Sequence, residues 1–333
     1  MYFEKTRFPI DLNQIKGCLE HSPLSVQCKP LMFLRSARYW CMLNSKRCFM
    51  MLWFVFTGCA EEDVSQWGYL EEGQYILEDS HVNVIRSFEF LSVDDDGLAY
   101  GFDLDEEQTE EGEELSCGHG DLTDPNGEDG IDNQLAKIWS LIQPFVGEAS
   151  EGLLQGAINE GRLLMMVELV GLEDFKDQNN LQLNLFYSDS KPEIGTYGYI
   201  SPNQTFEIDE TAQFSTLNNI SLTGGMVEGG PISFEIPIDI LEAHFTMNVA
   251  DGKIRFELDE DGSLSGYIGG AFSVSEVLYE LSQTDATDEY ALVKPFFENN
   301  ADMGFLDGEC DLFSFAFGIE GVPAYVIRHE AEE

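Results

Sequence analysis

In residues 124 to 133, Asp-Pro-Asn-Gly-Glu-Asp-Gly-Ile-Asp-Asn, oxygen-bearing side chains alternate with turn-forming residues. A hard cation such as calcium takes about six to eight oxygens from carboxylates, amides and main-chain carbonyls, presented by a tightly turning loop. Counted from Asp124, the donors Asp124, Asn126, Glu128 and Asp132 fall at offsets one, three, five and nine, and Gly130 offers its carbonyl at seven. These five residues are the candidate calcium ligands, with Asp103 and Asp105 of "FDLDEE" placed to complete the site in space. The competing reading is mechanical. Asp129 or Asp132 caps a following helix, satisfying its free N–H groups and the positive end of its dipole.

The stretch resembles the short Asp/Asn/Gly loops of thrombospondin type 3 repeats and dockerins. It departs from a full EF-hand at offset six, which is Asp129 instead of Gly, and at offset twelve, which is Leu135 instead of a bidentate Glu. Enzyme signatures are missing. "GSLSG" at 262–266 has Leu264 at its centre, so it is no nucleophile elbow. The chain has no HExxH, no phosphate-binding Gly-Lys loop and no GxGxxG after a strand. A pair of Asp or Glu residues serves a glycosidase, but so acidic a chain offers pairs everywhere. Trp67, Trp139, Tyr187, Tyr197 and Tyr199 suit sugar stacking, or the packing that aromatics do in strands.

The elements that must position these residues follow from periodicity. "HVNVIRSFEFLSV" predicts a first strand. Eight of the twelve residues from Asp103 to Glu114 are carboxylates, which predicts a solvated or disordered loop. Ile131, Leu135, Ile138 and Ile142 recur at helical spacing, so a helix is expected from near Asp129 to Pro144, with a second over Glu151 to Arg162. "LLMMVELVG" is continuously apolar, as in a strand buried on both faces, and "LQLNLFY", "TFEID", "NISLT" and "ISFEIPI" follow. In "HFTMNVADGKIRFELDEDGSLSGYIGG" three strand-like runs are separated by Ala-Asp-Gly and Asp-Glu-Asp-Gly, both turn chemistry. Ser273 with Glu276 predicts a capping box, and another helix is expected from about Glu289 to Asn300. "FSFAF" puts Phe313, Phe315 and Phe317 on one face, with "AYVI" as its pairing partner. Short turns between strands argue for antiparallel pairing. The expected fold is α+β: mainly antiparallel sheet, a sandwich or a partly closed barrel, with a few helices packed on it.

Charge and cysteine order bear on location. Of 17 basic and 62 acidic residues, eight basic and three acidic precede Cys59, leaving nine and 59 from there on. That field repels nucleic acid and anionic lipid and favours cations or cationic partners; adaptation to a salty medium is the alternative. Lys46 and Arg47 precede an apolar run from Phe49 to Thr57. The run is too short to span a membrane, which takes about 20 residues, but fits a secretory signal. The alternative is a buried core strand, "FMMLWFVF", with Cys59 as a small filler. Residues 42–58 are read as a signal, 59–80 as a polar tether, and 81–330 as one β-rich domain that includes an acidic loop over 93–133. Residues 1–41 are read as an extension preceding a true start at Met42. Cys18, Cys28, Cys41 and Cys48 lie upstream of Cys59, so Cys117 and Cys310 remain for the exported part. In an oxidising compartment they form one disulfide; two separate buried thiols are the alternative.

Phe56-Thr57-Gly58-Cys59 resembles a bacterial lipoprotein box, in which cleavage precedes the cysteine that receives lipid. By that resemblance Cys59 is lipidated, the membrane holds the chain through its anchor, and Ala60 in place of Asp implies the outer membrane. The box, the acidic spacer, "GFDLDEE…SCGHGDLTDPNGEDGIDNQLAKIW" and the β-rich remainder resemble a group of secreted lipoproteins of myxobacteria and related delta-proteobacterial lineages. The likeness covers about residues 42 to 328 and is sharpest over 98 to 139. Relatives carry "FDLDG" where Glu106 follows Asp105 here. It implies a place in the cell envelope, periplasmic or surface-facing, and a Cys117–Cys310 bond, but no reaction. The expected function is therefore a non-catalytic binding or scaffolding lipoprotein stabilised by calcium. A secreted polysaccharide hydrolase and a carrier of an apolar ligand are the alternatives.

Overall fold

Alternating and continuous apolar runs carry nearly half of the described residues into strands, and turns rich in Gly, Asp and Asn join them. The computed structural model describes residues 74–112, 117–173, 175–209, 211, 213–240, 243–304 and 310–329. Residues 1–41, the signal segment, Cys59 and Trp67 lie outside the described residues. The first strands are β1 (Gln74–Tyr75), β2 (Ser80–Phe90), β3 (Leu122–Thr123) and β4 (Asp129–Ile131). Helix α1 (Gln134–Asn159) is followed by β5 (Leu164–Val170), β6 (Gln178–Ser188), β7 (Gln204–Glu207) and β8 (Ser215–Thr223). Next come β9 (Met226–Ile240), β10 (Ala243–Leu258) and β11 (Leu264–Ser273). Helices α2 (Val274–Ser282) and α3 (Thr287–Glu298) precede β12 (Met303–Gly304) and β13 (Cys310–His329). Among the described residues no helix is long and apolar enough to cross a membrane.

Eleven strands form one sheet, and β3 with β4 makes a separate hairpin. The order β2-β5-β6-β8-β9-β10-β11-β13 is antiparallel at every step, and β13 also pairs with β2, so the path of pairings returns to its start. No regular barrel results. β8 meets β9 through two rungs, Leu222↔Val227 and Thr223↔Met226, and the β9–β10 and β13–β2 ladders shift register. The fold is α+β, mainly antiparallel sheet, and sandwich-like. Phe186, Phe206, Phe256, Phe313 and Phe315 are among its most deeply buried side chains.

Several local expectations are corrected. Residues 129–131 are strand, and α1 begins at Gln134 with Asn133, not Asp129 or Asp132, as its cap. Pro144 lies inside α1 rather than at its end, so the two expected helices are one. A proline removes one helical donor and clashes locally; apolar residues on both sides, Ile138 before and Ala157 and Ile158 after, join the same core cluster. Ala-Asp-Gly at 250–252 is a bulge within β10, not a hairpin turn: Asp251 takes φ 51° and the register shifts there. The true turn is Asp259–Ser263, where Gly262 N–H donates to the Asp259 carbonyl at 2.9 Å. "AYVI" does not pair with "FSFAF", since both lie on the single strand β13; Ala324 to Ile327 run parallel to β7 instead. Ser273 Oγ accepts from Glu276 N–H at 3.1 Å, as read, but Glu276 Oε1 accepts from Asn248 rather than closing the box. Gln74 and Tyr75, inside the stretch read as tether, pair with His329 and Arg328.

The apolar run of β5 hides one charge. Glu168 is fully buried, and it accepts from Asn184 Nδ2 at 2.7 Å and from Arg328 Nη2 at 2.7 and 2.6 Å. The pair spans β5, β6 and β13. Breaking a buried ion pair from one side strands the other charge, at a cost of about 3–5 kcal/mol. Arg328→Ala is therefore expected to lower unfolding stability by roughly that much in urea titrations, and Glu168→Gln/Arg328→Met to recover part of the loss. An unchanged urea midpoint for Arg328→Ala would show that the pair holds nothing.

Candidate cation site

Loop 98–104 runs beside the segment that holds the sequence-predicted ligands. Leu98 bridges Thr123, and Phe102 bridges Asp132, whose N–H donates to the Phe102 carbonyl at 2.9 Å. Gly130, at φ 81°, permits the crossing, because a Cβ there would lie 2.9 Å from the Glu107 carbonyl and 3.4 Å from Asp103 Oδ2. This close approach brings Asp103 and Asp105 to Asp132, and their ligand oxygens lie within 4.8 Å of one another.

Of the five residues expected to ligate, only Asp132 joins that cluster. Asp124, fully buried, closes its own turn: Oδ1 accepts from the N–H groups of Asn126 and Glu128 at 2.8 and 2.9 Å, and Oδ2 accepts from Asn126 Nδ2 at 2.9 Å. Glu128 turns outward and grips Arg255 at 3.0 Å. Gly130 acts by being small. Asp103 and Asp105, set among so many acids, gave only a weak signal in sequence. Among the described residues the cluster of these three aspartates is the one grouping of three or more ligating side chains. His81, His119, His244 and His329 take no part in it.

Asp132 is only 4% exposed, and its Oδ2 accepts from Leu104 N–H at 2.6 Å. Among the described residues no ion pair reaches the three carboxylates. Burial, followed by the charge of Asp105, pushes the Asp132 carboxyl up to about 8. Burial also raises Asp103. Such an arrangement invites a proton or a cation. Three oxygens this close match part of a calcium shell, whose bonds run about 2.3–2.6 Å, and leave the remaining positions to water or main-chain carbonyls. The donor set, hard and anionic, fits calcium.

A polar network fastens this segment to the sheet. Asn133 Oδ1 accepts from Ala136 N–H at 3.0 Å and from Ala316 N–H at 3.2 Å, while its Nδ2 donates to the Tyr100 carbonyl at 2.7 Å. Gln134 N–H donates to Ser314 Oγ at 2.8 Å, and Asp302 accepts from both the N–H and the hydroxyl of Ser314. A disulfide joins Cys117 to Cys310, with Cα atoms 5.8 Å apart, and ties the acidic segment to the start of β13. Across 193 residues such a link contributes on the order of 5 kcal/mol by the chain-entropy argument.

The aromatics divide. Trp139 is buried and stacks on Phe90 with centroids 4.0 Å apart, and Tyr187 is buried too, so both are packing residues. Tyr197 is 91% exposed and Tyr199 44%. Sequence reading passed over Arg255, which joins Glu128 to Glu228 and faces Tyr267. Compared with protein families, curated proteins and solved structures, the chain matches none.

Burial lifts the Asp302 carboxyl to about 6, against the opposing pull of its Ser314 hydrogen bonds. The unfolded chain ionises this group near 3.8. Between those values the folded state holds the extra proton, so stability falls as pH rises. Asp302→Asn keeps an acceptor for Ser314 N–H and is expected to make the fall in melting temperature between about pH 4 and 6 in EDTA shallower, leaving the share that Asp132 contributes over the same range. An equally steep decline in the variant would remove Asp302 as its source.

Proposed function

We propose that this chain is an exported, lipid-anchored, non-catalytic binding or scaffolding lipoprotein of the bacterial cell envelope, steadied by calcium. The observation that carries the reading is the Cys117–Cys310 disulfide, because such bonds form and persist outside the reducing cytosol. The signal-like segment before Cys59 and the lipoprotein box agree with it. Acyl chains on Cys59 would hold the protein to the outer membrane, periplasmic or surface-facing, and stable anchoring takes more than one buried chain.

Calcium would sit at Asp103, Asp105 and Asp132, where it would replace the proton that burial forces on Asp132. Its affinity should weaken as pH falls below about 8, since proton and metal compete for one carboxylate. Cations and cationic proteins are the partners that the charge selects; phosphate-rich nucleic acid is repelled.

Metabolic palmitate labelling should mark the protein and Cys59→Ser should abolish the label. A cold protein recovered intact among soluble cell contents would overturn the export reading. Calcium should raise the melting temperature relative to EDTA, and Asp132→Asn should remove most of that rise. Equal responses in both proteins would place any calcium elsewhere.

A further inference from the structure

The outward faces of four neighbouring strands form two cross-strand rows. Glu257, Ser265, Glu320 and Ser87 stand opposite one another along β10, β11, β13 and β2, and so do Arg255, Tyr267, Gly318 and Glu89. Residues two apart on a strand share a face, so the two rows lie side by side. Ser265 and Gly318 keep the floor low, and Tyr100 and Glu151 also line the space above it. The result is a groove of about 850 Å³, open to solvent.

The protein's own arginines show what this surface holds. Arg86 donates to Glu320 from Nε and Nη2 at 3.1 and 2.8 Å, with its guanidinium 5.9 Å from the Tyr199 ring centre. Arg255 repeats the pattern: it bonds Glu228 and Glu128, donates to the Tyr267 hydroxyl at 2.8 Å, and lies 5.8 Å from that ring centre. Each guanidinium is met by a carboxylate and an aromatic face, which together reward a flat cation. Glu89, Glu151 and Glu257 line the same groove, and among the described residues none of them has a cation of its own. Tyr100, 43% exposed, offers a ring beside Tyr267, with centroids 5.4 Å apart.

We infer that this groove binds an arginine-containing basic segment of a partner protein. The guanidinium groups would pair with Glu89, Glu151 and Glu257, and one would lie on the Tyr100 ring. Lysine supplies the charge without the planar fork, so arginine should be preferred. The inference rests on the reading of the chain as a binding protein and is independent of the calcium site.

Fluorescence anisotropy with a labelled hexa-arginine peptide at 150 mM salt tests it, with hexa-lysine and a glucosamine tetramer as competitors. The purified protein should bind hexa-arginine at least fivefold more tightly than hexa-lysine. Glu89→Gln/Glu257→Gln should weaken hexa-arginine tenfold or more, and Tyr100→Leu should erase the preference over lysine. Glu280→Gln/Asp285→Asn, which removes the same charge outside the groove, should change affinity less than twofold. These side chains are exposed or at the surface, and unchanged melting temperatures will separate lost binding from lost folding. Equal losses in the two charge variants would reduce the effect to bulk attraction and overturn the groove. So would an absence of peptide binding, or tighter binding of the glucosamine tetramer. A protein that fails here yet carries palmitate at Cys59 loses this inference and keeps its place in the envelope.

Discussion

The closure of the sheet depends on how one strand edge is satisfied. β13 pairs with β11 from Leu312 onward, but its ladder with β2 begins only at Phe317. Between those points the N–H groups of Ser314 and Ala316 find side chains instead of a strand, Asp302 for one and Asn133 for the other. A buried donor left unpaired costs about 1–3 kcal/mol, so Asn133 and Asp302 do what a missing strand would. Asn133 also caps α1 and holds the Tyr100 carbonyl. One amide thus sets the start of the helix, the path of the acidic loop and the edge of the sheet. The placing of Asp103 and Asp105 over Asp132 follows from that anchoring.

Much of the sheet was legible because its strands are either continuously apolar or strictly alternating. β5 and the outward-inward pattern of β10, β11 and β13 need only the two-residue period of a strand. What escaped was decided by groups far apart in sequence. Asp129 and Asp132 look like better helix caps than Asn133 until the loop at Phe102 claims the Asp132 backbone. The proline at 144 looks like a stop until the core on both sides outweighs one missing hydrogen bond. Ala-Asp-Gly reads as a turn by its chemistry, yet Asp251 takes the same left-handed conformation within a bulge.

The grouping of three aspartates was only partly legible in the sequence. A loop of alternating acids and glycines raises the expectation of cation ligands, and Asp103, Asp105 and Asp132 are the carboxylates that the fold brings together. Only one comes from the expected loop, since Asp124 spends both oxygens on its own turn. Spacing along a chain cannot tell a carboxylate that folds a turn from one that faces a ligand. Nor could it show Arg255 and Arg86, whose carboxylate and aromatic partners come from several different strands and loops.

The last strand, β13, touches β1, β2, β7, β11 and β12. Those five strands cannot finish their pairing until residues Cys310–His329 leave the ribosome. Long-range pairing of this kind is slow to form, so the hairpins from β5 to β10 can assemble while the ring of strands still gapes, and its closure waits for the last stretch to be synthesised.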